Sequence, residues 1–160
     1  MLIEAFKKQK KHLTALILSD GREVLLDNET CSDFCLKPGT EITEERLREL
    51  IYDSEYRRAK SRALWYLDRA DRTEKGLYKK LCEAGFDKKA SAAVVARFAE
   101  VGLLDDRRFA ENFAERCKDA NISPRETVRK LYEKGISYDM AKEIVSETET
   151  DEEAQIRALI

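Results

Sequence analysis

Few residues in this chain have the types and spacing for chemistry. Its cysteines are Cys31, Cys35, Cys82 and Cys117, and His12 is its one histidine. A structural zinc site draws its ligands from two close pairs, such as two C-x2-C steps. Here Cys31 and Cys35 form a single C-x3-C pair, and Cys82 and Cys117 stand far apart. The four thiols therefore read as reduced, small apolar residues, buried or half-buried, with no metal and no disulfide framework. His12 follows Lys7, Lys8, Lys10 and Lys11 and reads as a solvated flank of that charge. Neither G-x-S-x-G, H-E-x-x-H nor G-x-x-x-x-G-K-S/T occurs, which removes the usual hydrolase and NTPase sites. Asp105-Asp106 could form a carboxylate pair, but adjacent aspartates ahead of a helical pattern serve better as a cap and a partner for the helix N-terminus. Trp65-Tyr66 could stack on bases, yet Leu64 and Leu67 flank the pair and place at least one ring in the core. No catalytic set, metal or cofactor is expected.

Composition narrows the classes further. The chain has 160 residues, 42% hydrophobic and 39% charged, with 30 Lys plus Arg against 32 Asp plus Glu and a net charge of -2. A core is feasible, the surface is strongly ionic, and a globally basic nucleic-acid binder is excluded while a local basic face is not. No apolar run approaches the roughly 20 residues of a membrane-spanning helix. The N-terminus places its apolar residues before its lysines, the reverse of a secretory signal. A cytoplasmic protein without membrane contact is expected.

The elements that must position any site fall into two textures. Leu13–Leu18 and Glu23–Leu26 flank an Asp20-Gly21 turn and predict a β-hairpin. After Lys37-Pro38-Gly39, Thr43 opens a helix, with Arg46 where a capping box would carry Glu or Gln, and Leu47, Leu50, Ile51 and Ser54 on one stripe. From about Glu55 onward every apolar spacing is helical: Ala59, Ala63, Leu64 and Leu67, then Leu77 and Leu81, then Ala90, Val94, Val95 and Phe98. Thr73, Asp87 and Ser123 stand at N-cap positions, Pro124 at a first helical position, and Gly85 and Gly135 where helices stop.

These landmarks repeat with a fifty-residue shift. Lys80-Leu81-Cys82-Glu83-Ala84-Gly85-Phe86 falls on Lys130-Leu131-Tyr132-Glu133-Lys134-Gly135-Ile136. Thr73 falls on Ser123, Lys75 on Arg125, Lys79 on Arg129, Val94 on Ile144 and Val95 on Val145. That period suits three short helices per unit. The reading is a mainly α chain: a head of β-hairpin and helix at 1–54, three-helix repeats at 55–104 and 105–152, and the opening of an incomplete third repeat at 153–160. The chain is thus expected to stop inside the first helix of that third unit.

Each unit carries cations in corresponding places. Arg69, Arg72, Lys75, Lys79 and Lys80 gather at the end of one helix and along the next. Arg116, Lys118, Arg125, Arg129, Lys130 and Lys134 occupy comparable ground in the second unit. Lys75 and Lys79 are one turn apart, as are Arg125 and Arg129, so each pair projects from one face. Stacked repeats would align these faces into a stripe suited to a phosphate backbone or an acidic protein groove. At this charge density a merely solvated face produces the same pattern.

The order of these pieces resembles the RecX family, regulators of the RecA recombinase. The resemblance runs through Ala63-Leu64-Trp65-Tyr66-Leu67 and through Arg72-Thr73-Glu74-Lys75-Gly76-Leu77, where the family has R-S/T-E-x-E-L. It continues through Leu81-x3-Gly85-Phe86, through Gly102-Leu103-Leu104-Asp105-Asp106-x2-Phe109-Ala110, and through Leu131-x2-Lys134-Gly135-Ile136. It covers about Glu55 to Ile160, and the hairpin-plus-helix head is similar to the N-terminal extension of longer members. Gly76 departs from the family's acidic residue, and the third repeat is missing beyond its opening.

What the resemblance implies is a curved, all-helical array lying in the groove of the RecA–DNA filament. It would modulate, with inhibition the expected direction, ATP hydrolysis, strand exchange and co-protease action in DNA repair, recombination and the SOS response, without being an enzyme. The implied partners are the RecA filament and, weakly or through the filament, single- or double-stranded DNA. The candidate contact residues are Arg69, Arg72, Lys75, Lys79, Lys80, Arg116, Arg125, Arg129, Lys130 and Lys134. A stand-alone DNA-binding helical-repeat module and a structural adaptor remain as alternatives.

Overall fold

Alternating apolar residues and two tight turns build the N-terminal sheet. The computed structural model describes residues 1–159, with side chains for all of these except Lys10 and residues 151–159. Strands β1 (Ile3–Lys10), β2 (Leu13–Leu18) and β3 (Glu23–Asp27) form an antiparallel sheet in that order. β2 and β3 are the predicted hairpin, in register from Leu13 opposite Asp27 to Ile17 opposite Glu23. In its turn Gly21 adopts φ +89°, where a side chain would be strained, and the Asp20 carboxylate accepts the Arg22 amide at 3.0 Å.

A third strand extends the predicted hairpin into a sheet. β1 pairs with β2, but its register shifts between Ile3 and Ala5 and again between Lys8 and Lys10. Such irregularities break the two-residue alternation by which a strand is recognised, so the segment before His12 reads as a charge cluster. A short helix, α1 (Asn28–Asp33), is a second addition; the Asp27 carboxylate caps it by accepting the Glu29 amide at 2.9 Å.

The long helix α2 (Glu44–Arg69) opens at Thr43, whose hydroxyl accepts the Arg46 amide at 3.1 Å. It runs unbroken through residues 54 and 55. After it come α3 (Glu74–Glu83), α4 (Lys88–Glu100), α5 (Asp106–Asp119), α6 (Pro124–Glu133) and α7 (Tyr138–Leu159), the last continuous through residues 152 and 153. The chain divides into two compact units: Met1–Trp65 with Leu81–Val94, and Tyr66–Lys80 with residue 95 onward.

In the first unit Ile3, Leu16, Leu18, Leu26, Ile42, Leu47 and Leu50 form one buried cluster between the sheet and the start of α2. Ser54, also buried on α2, accepts the Asp27 amide at 2.7 Å and so satisfies the end of β3. Ile51 lies on the predicted stripe yet is exposed, as are Leu64 and Trp65, while Tyr66 is half-buried. Neither ring of the Trp65-Tyr66 pair is therefore core. On this part of α2 the buried positions belong to Ala59 and Ala63, whose small side chains permit close approach.

The helical repeats show the same environments at matching places. Leu81 and Leu131 are fully buried, as are Val94 and Ile144, and Gly85 and Gly135 turn left-handed at φ +96° and +101°. Thr73 and Ser123 cap α3 and α6, accepting amides of Gly76 and Glu126 at 3.0 and 3.2 Å. In the second unit α5, α6 and α7 close on Phe109, Ala110, Ala114, Leu131, Ile136, Ala141, Ile144 and Val145, with Phe113 half-buried against them. Cys117 is buried, and Cys31 and Cys82 are half-buried, but Cys35 is exposed at φ +52°, against the expectation for all four thiols.

Candidate partner interface

All ten candidate cations lie in the second unit, and the structure groups some of them more tightly than the sequence does. The joint between the start of α3 and the end of α6 is the organising feature. The Thr73 hydroxyl donates to the Lys134 carbonyl at 2.5 Å while accepting the Gly76 amide. Gly135 follows so closely that an added Cβ would stand 2.7 Å from the Lys75 Cβ. The glycine is therefore needed twice, for its left-handed φ and for the close approach of Lys75. On the other side of Lys134, its ammonium lies 5.5 Å from the centre of the Phe113 ring, and the Arg116 guanidinium lies 5.8 Å from the same centre. Lys75, Lys134 and Arg116 thus gather around one joint, two of them sharing an aromatic ring.

The remaining cations are distributed as follows. Arg69 is exposed in the last turn of α2, and Arg72 is half-buried, donating to the Tyr66 carbonyl at 3.4 Å with its guanidinium 5.4 Å from the Tyr66 ring centre. Lys79 and Lys80 are exposed on α3, Arg125 is exposed at the start of α6, and Lys130 is half-buried. Arg129 is exposed but engaged by Glu126 and Glu133 on its own helix. Those contacts raise the arginine's pKa, first through Glu126, and lower that of Glu126.

The aspartate pair is structural, but only Asp105 acts on its own helix as its position suggests. Asp105 caps α5 by accepting the Arg108 amide at 3.1 Å. Asp106 reaches across to the start of α3 and accepts the Glu74 amide at 2.9 Å. Burial, and then the nearby Asp106 carboxylate, push the Glu74 carboxyl up. No group of three or more His, Cys, Asp or Glu able to hold a metal ion occurs among the described residues.

Two charge clusters escape sequence reasoning. Arg57 pairs with Asp53, Glu29 and Asp33 at 2.7, 3.1 and 2.5 Å, tying α1 to α2. Arg107 meets Glu111, Glu143 and Glu147 at 3.3, 3.4 and 3.3 Å, tying α5 to α7. Only the i to i+4 member of each set, Asp53–Arg57 and Arg107–Glu111, could have been read from spacing. Among the described residues no helix is long and apolar enough to cross a membrane.

Comparison with known proteins now bears on this arrangement. Residues 59–98 match the family description "RecX, first three-helix domain". The chain is 30% identical over 155 residues to a regulatory protein RecX of Clostridioides difficile, covering 95% of this chain and 73% of that one. It is 27% identical over 150 residues to the RecX of Clostridium tetani, covering 94% of this chain and 64% of that relative. Among solved structures, a crystal structure of regulatory protein RecX superposes with a TM-score of 0.65 at 21% identity, covering 92% of this chain and 73% of the other. A RecX from Lactobacillus salivarius gives 0.55 at 21% identity over 57% of this chain and 60% of its own.

Fold and relatives together define a mainly helical regulatory protein with a small N-terminal sheet. The chain belongs to the RecX family.

Proposed function

We propose that this chain regulates the RecA recombinase by binding its nucleoprotein filament, lowering ATP turnover, strand exchange and co-protease action. It does so in the cytoplasm by attachment and not by catalysis of its own. Its repeats at 55–104 and 105–152 supply the attachment surface and 1–54 is an accessory head, while the expected opening of a third repeat at 153–160 reaches beyond the described residues. DNA is engaged weakly or through the filament, because a net charge of -2 gives the chain as a whole no strong attraction for phosphate, whatever a local basic face does.

The observation that carries this reading is the relationship to the RecX regulators over 155 residues. The grouping of Lys75, Arg116 and Lys134 about the Gly135 joint supplies a concrete attachment point. Arg69, Arg72, Lys79, Lys80, Arg125, Arg129 and Lys130 extend it. Each contact is modest, and linked repeats raise the effective concentration of the next.

Titration of the chain into RecA, single-stranded DNA and ATP tests the reading. Turnover should fall with added chain, and Lys75→Glu with Lys134→Glu should shift the midpoint by about tenfold, on the order of 1.4 kcal/mol. Turnover that stays constant across a wide excess of chain would count against it.

A further inference from the structure

The first unit holds an open cleft of about 1140 Å3 that none of the candidate contact residues reaches. Its lining comes from the β1–β2 turn with Lys11 and His12, from the start of α1, from Phe86, and from a wall formed by the middle of α2. Arg58, Arg62 and Trp65 follow one another at helical spacing on α2, so they occupy one stripe of that wall. The Arg62 guanidinium lies 5.6 Å from the centre of the Trp65 ring, and Arg58 lies 5.9 Å from that of Phe86. Trp65 is 45% exposed, a large planar surface left at the rim of a basic wall.

The carboxylates of the cleft are engaged from within. Glu29 and Asp53 close on Arg57, Asp53 also accepts the Thr30 hydroxyl at 2.8 Å, and Asp27 caps α1. Among the described residues, neither Lys11 nor Lys60 has a carboxylate within ion-pair distance. The walls therefore offer ammonium and guanidinium groups beside an exposed indole. A ligand complementary to both must alternate anionic groups with planar rings. Single-stranded nucleic acid does so, its bases unstacked and its phosphates regularly spaced. A duplex keeps its base faces inside the stack, and an acidic peptide satisfies the lysines but makes no use of the indole.

We propose that this cleft is a binding site for single-stranded nucleic acid, with a base stacked on Trp65 and the backbone phosphates held by Lys11, Lys60 and Arg58. The site is a property of the head and α2 and stands without the recombinase reading.

Trp65 is the one tryptophan of the chain, so its emission reports on this cleft alone. The full chain, without recombinase, is titrated at low salt with a fluorescein-labelled oligothymidylate of about 15 nucleotides, a length matched to known single-strand site sizes. Label anisotropy and Trp65 emission are followed together. Saturable quenching that tracks the anisotropy is expected. Trp65→Ala should weaken binding about five- to hundredfold by anisotropy. Lys11→Glu with Lys60→Glu should weaken it roughly tenfold or more and flatten its salt dependence. All three side chains are exposed, and circular dichroism checks that each variant keeps its helices. Anisotropy that rises with no change in Trp65 emission would put the strand elsewhere and overturn the site. Absence of both signals would overturn it as well, as would equal quenching by polyglutamate, the signature of an acidic-peptide groove.

Discussion

α3 and α6 occupy equivalent places in the two repeats, yet they manage charge differently. Each carries three cations and two glutamates: Lys75, Lys79 and Lys80 with Glu74 and Glu83 on α3, and Arg125, Arg129 and Lys130 with Glu126 and Glu133 on α6. On α6 Glu126 sits three residues before Arg129 and engages it. On α3 that place is Gly76, and the acid has moved to Glu74, whose carboxyl turns to Asp106. The comparison teaches that equal composition does not give equal faces. Where an acid falls along the turn decides whether it neutralises a neighbouring cation or serves the joint to another helix.

Four experiments test how far the equivalence extends. The largest effect is expected from Leu81→Ala and Leu131→Ala, both fully buried, at ~2–5 kcal/mol each by denaturant unfolding. A large gap between them would break the structural correspondence of the repeats. Next, Gly85→Ala meets open space but a left-handed backbone, which costs about 1–2 kcal/mol. Gly135→Ala adds a 2.7 Å approach to Lys75 and should destabilise by roughly 1 kcal/mol or more beyond that. Equal thermal shifts would show that the joint yields.

The third test concerns the partner face. Lys80→Glu should raise the midpoint for RecA inhibition by about fivefold, and Arg129→Glu by only about twofold, since Glu126 and Glu133 already offset Arg129. The reverse order in the ATPase titration would refute the charge comparison.

The smallest effect is one of pH, and its sign differs between the repeats. The carboxyl of Glu74 lies above its ordinary value of 4.5, so the folded state holds its proton more tightly. Its stabilising contribution is present below pH 4.5 and is lost as pH rises through the raised folded value. Glu126 lies below 4.5, so its contribution is present above that pH and is lost as pH falls through the lowered folded value. Melting curves across mild acid should therefore respond oppositely: Glu74→Gln gains relative stability toward neutrality, and Glu126→Gln loses it.

Much of the fold was legible because its signals are local. Thr43, Thr73, Asp87, Asp105 and Ser123 cap helices through their own side chains, and Gly85 and Gly135 end them through their own φ. β1 was hidden because its register irregularities break the alternation. Ile51 and Leu64 kept helical spacing and are still exposed, because what covers a stripe is settled by tertiary partners. Sequence spacing supplied the candidate cations but not their grouping, which depends on Phe113 and Gly135 bringing Arg116, Lys134 and Lys75 together. The head cleft was invisible for a related reason: Lys11 and Lys60 meet only once the β1–β2 turn faces α2.

The uneven placement of the thiols has a practical chemical outcome. Cys35 stands in the open, Cys117 is enclosed, and burial pushes the Cys31 thiol up, which depletes its reactive thiolate. A maleimide dye should consequently alkylate Cys35 first. The native chain thereby offers a preferred labelling position on its head.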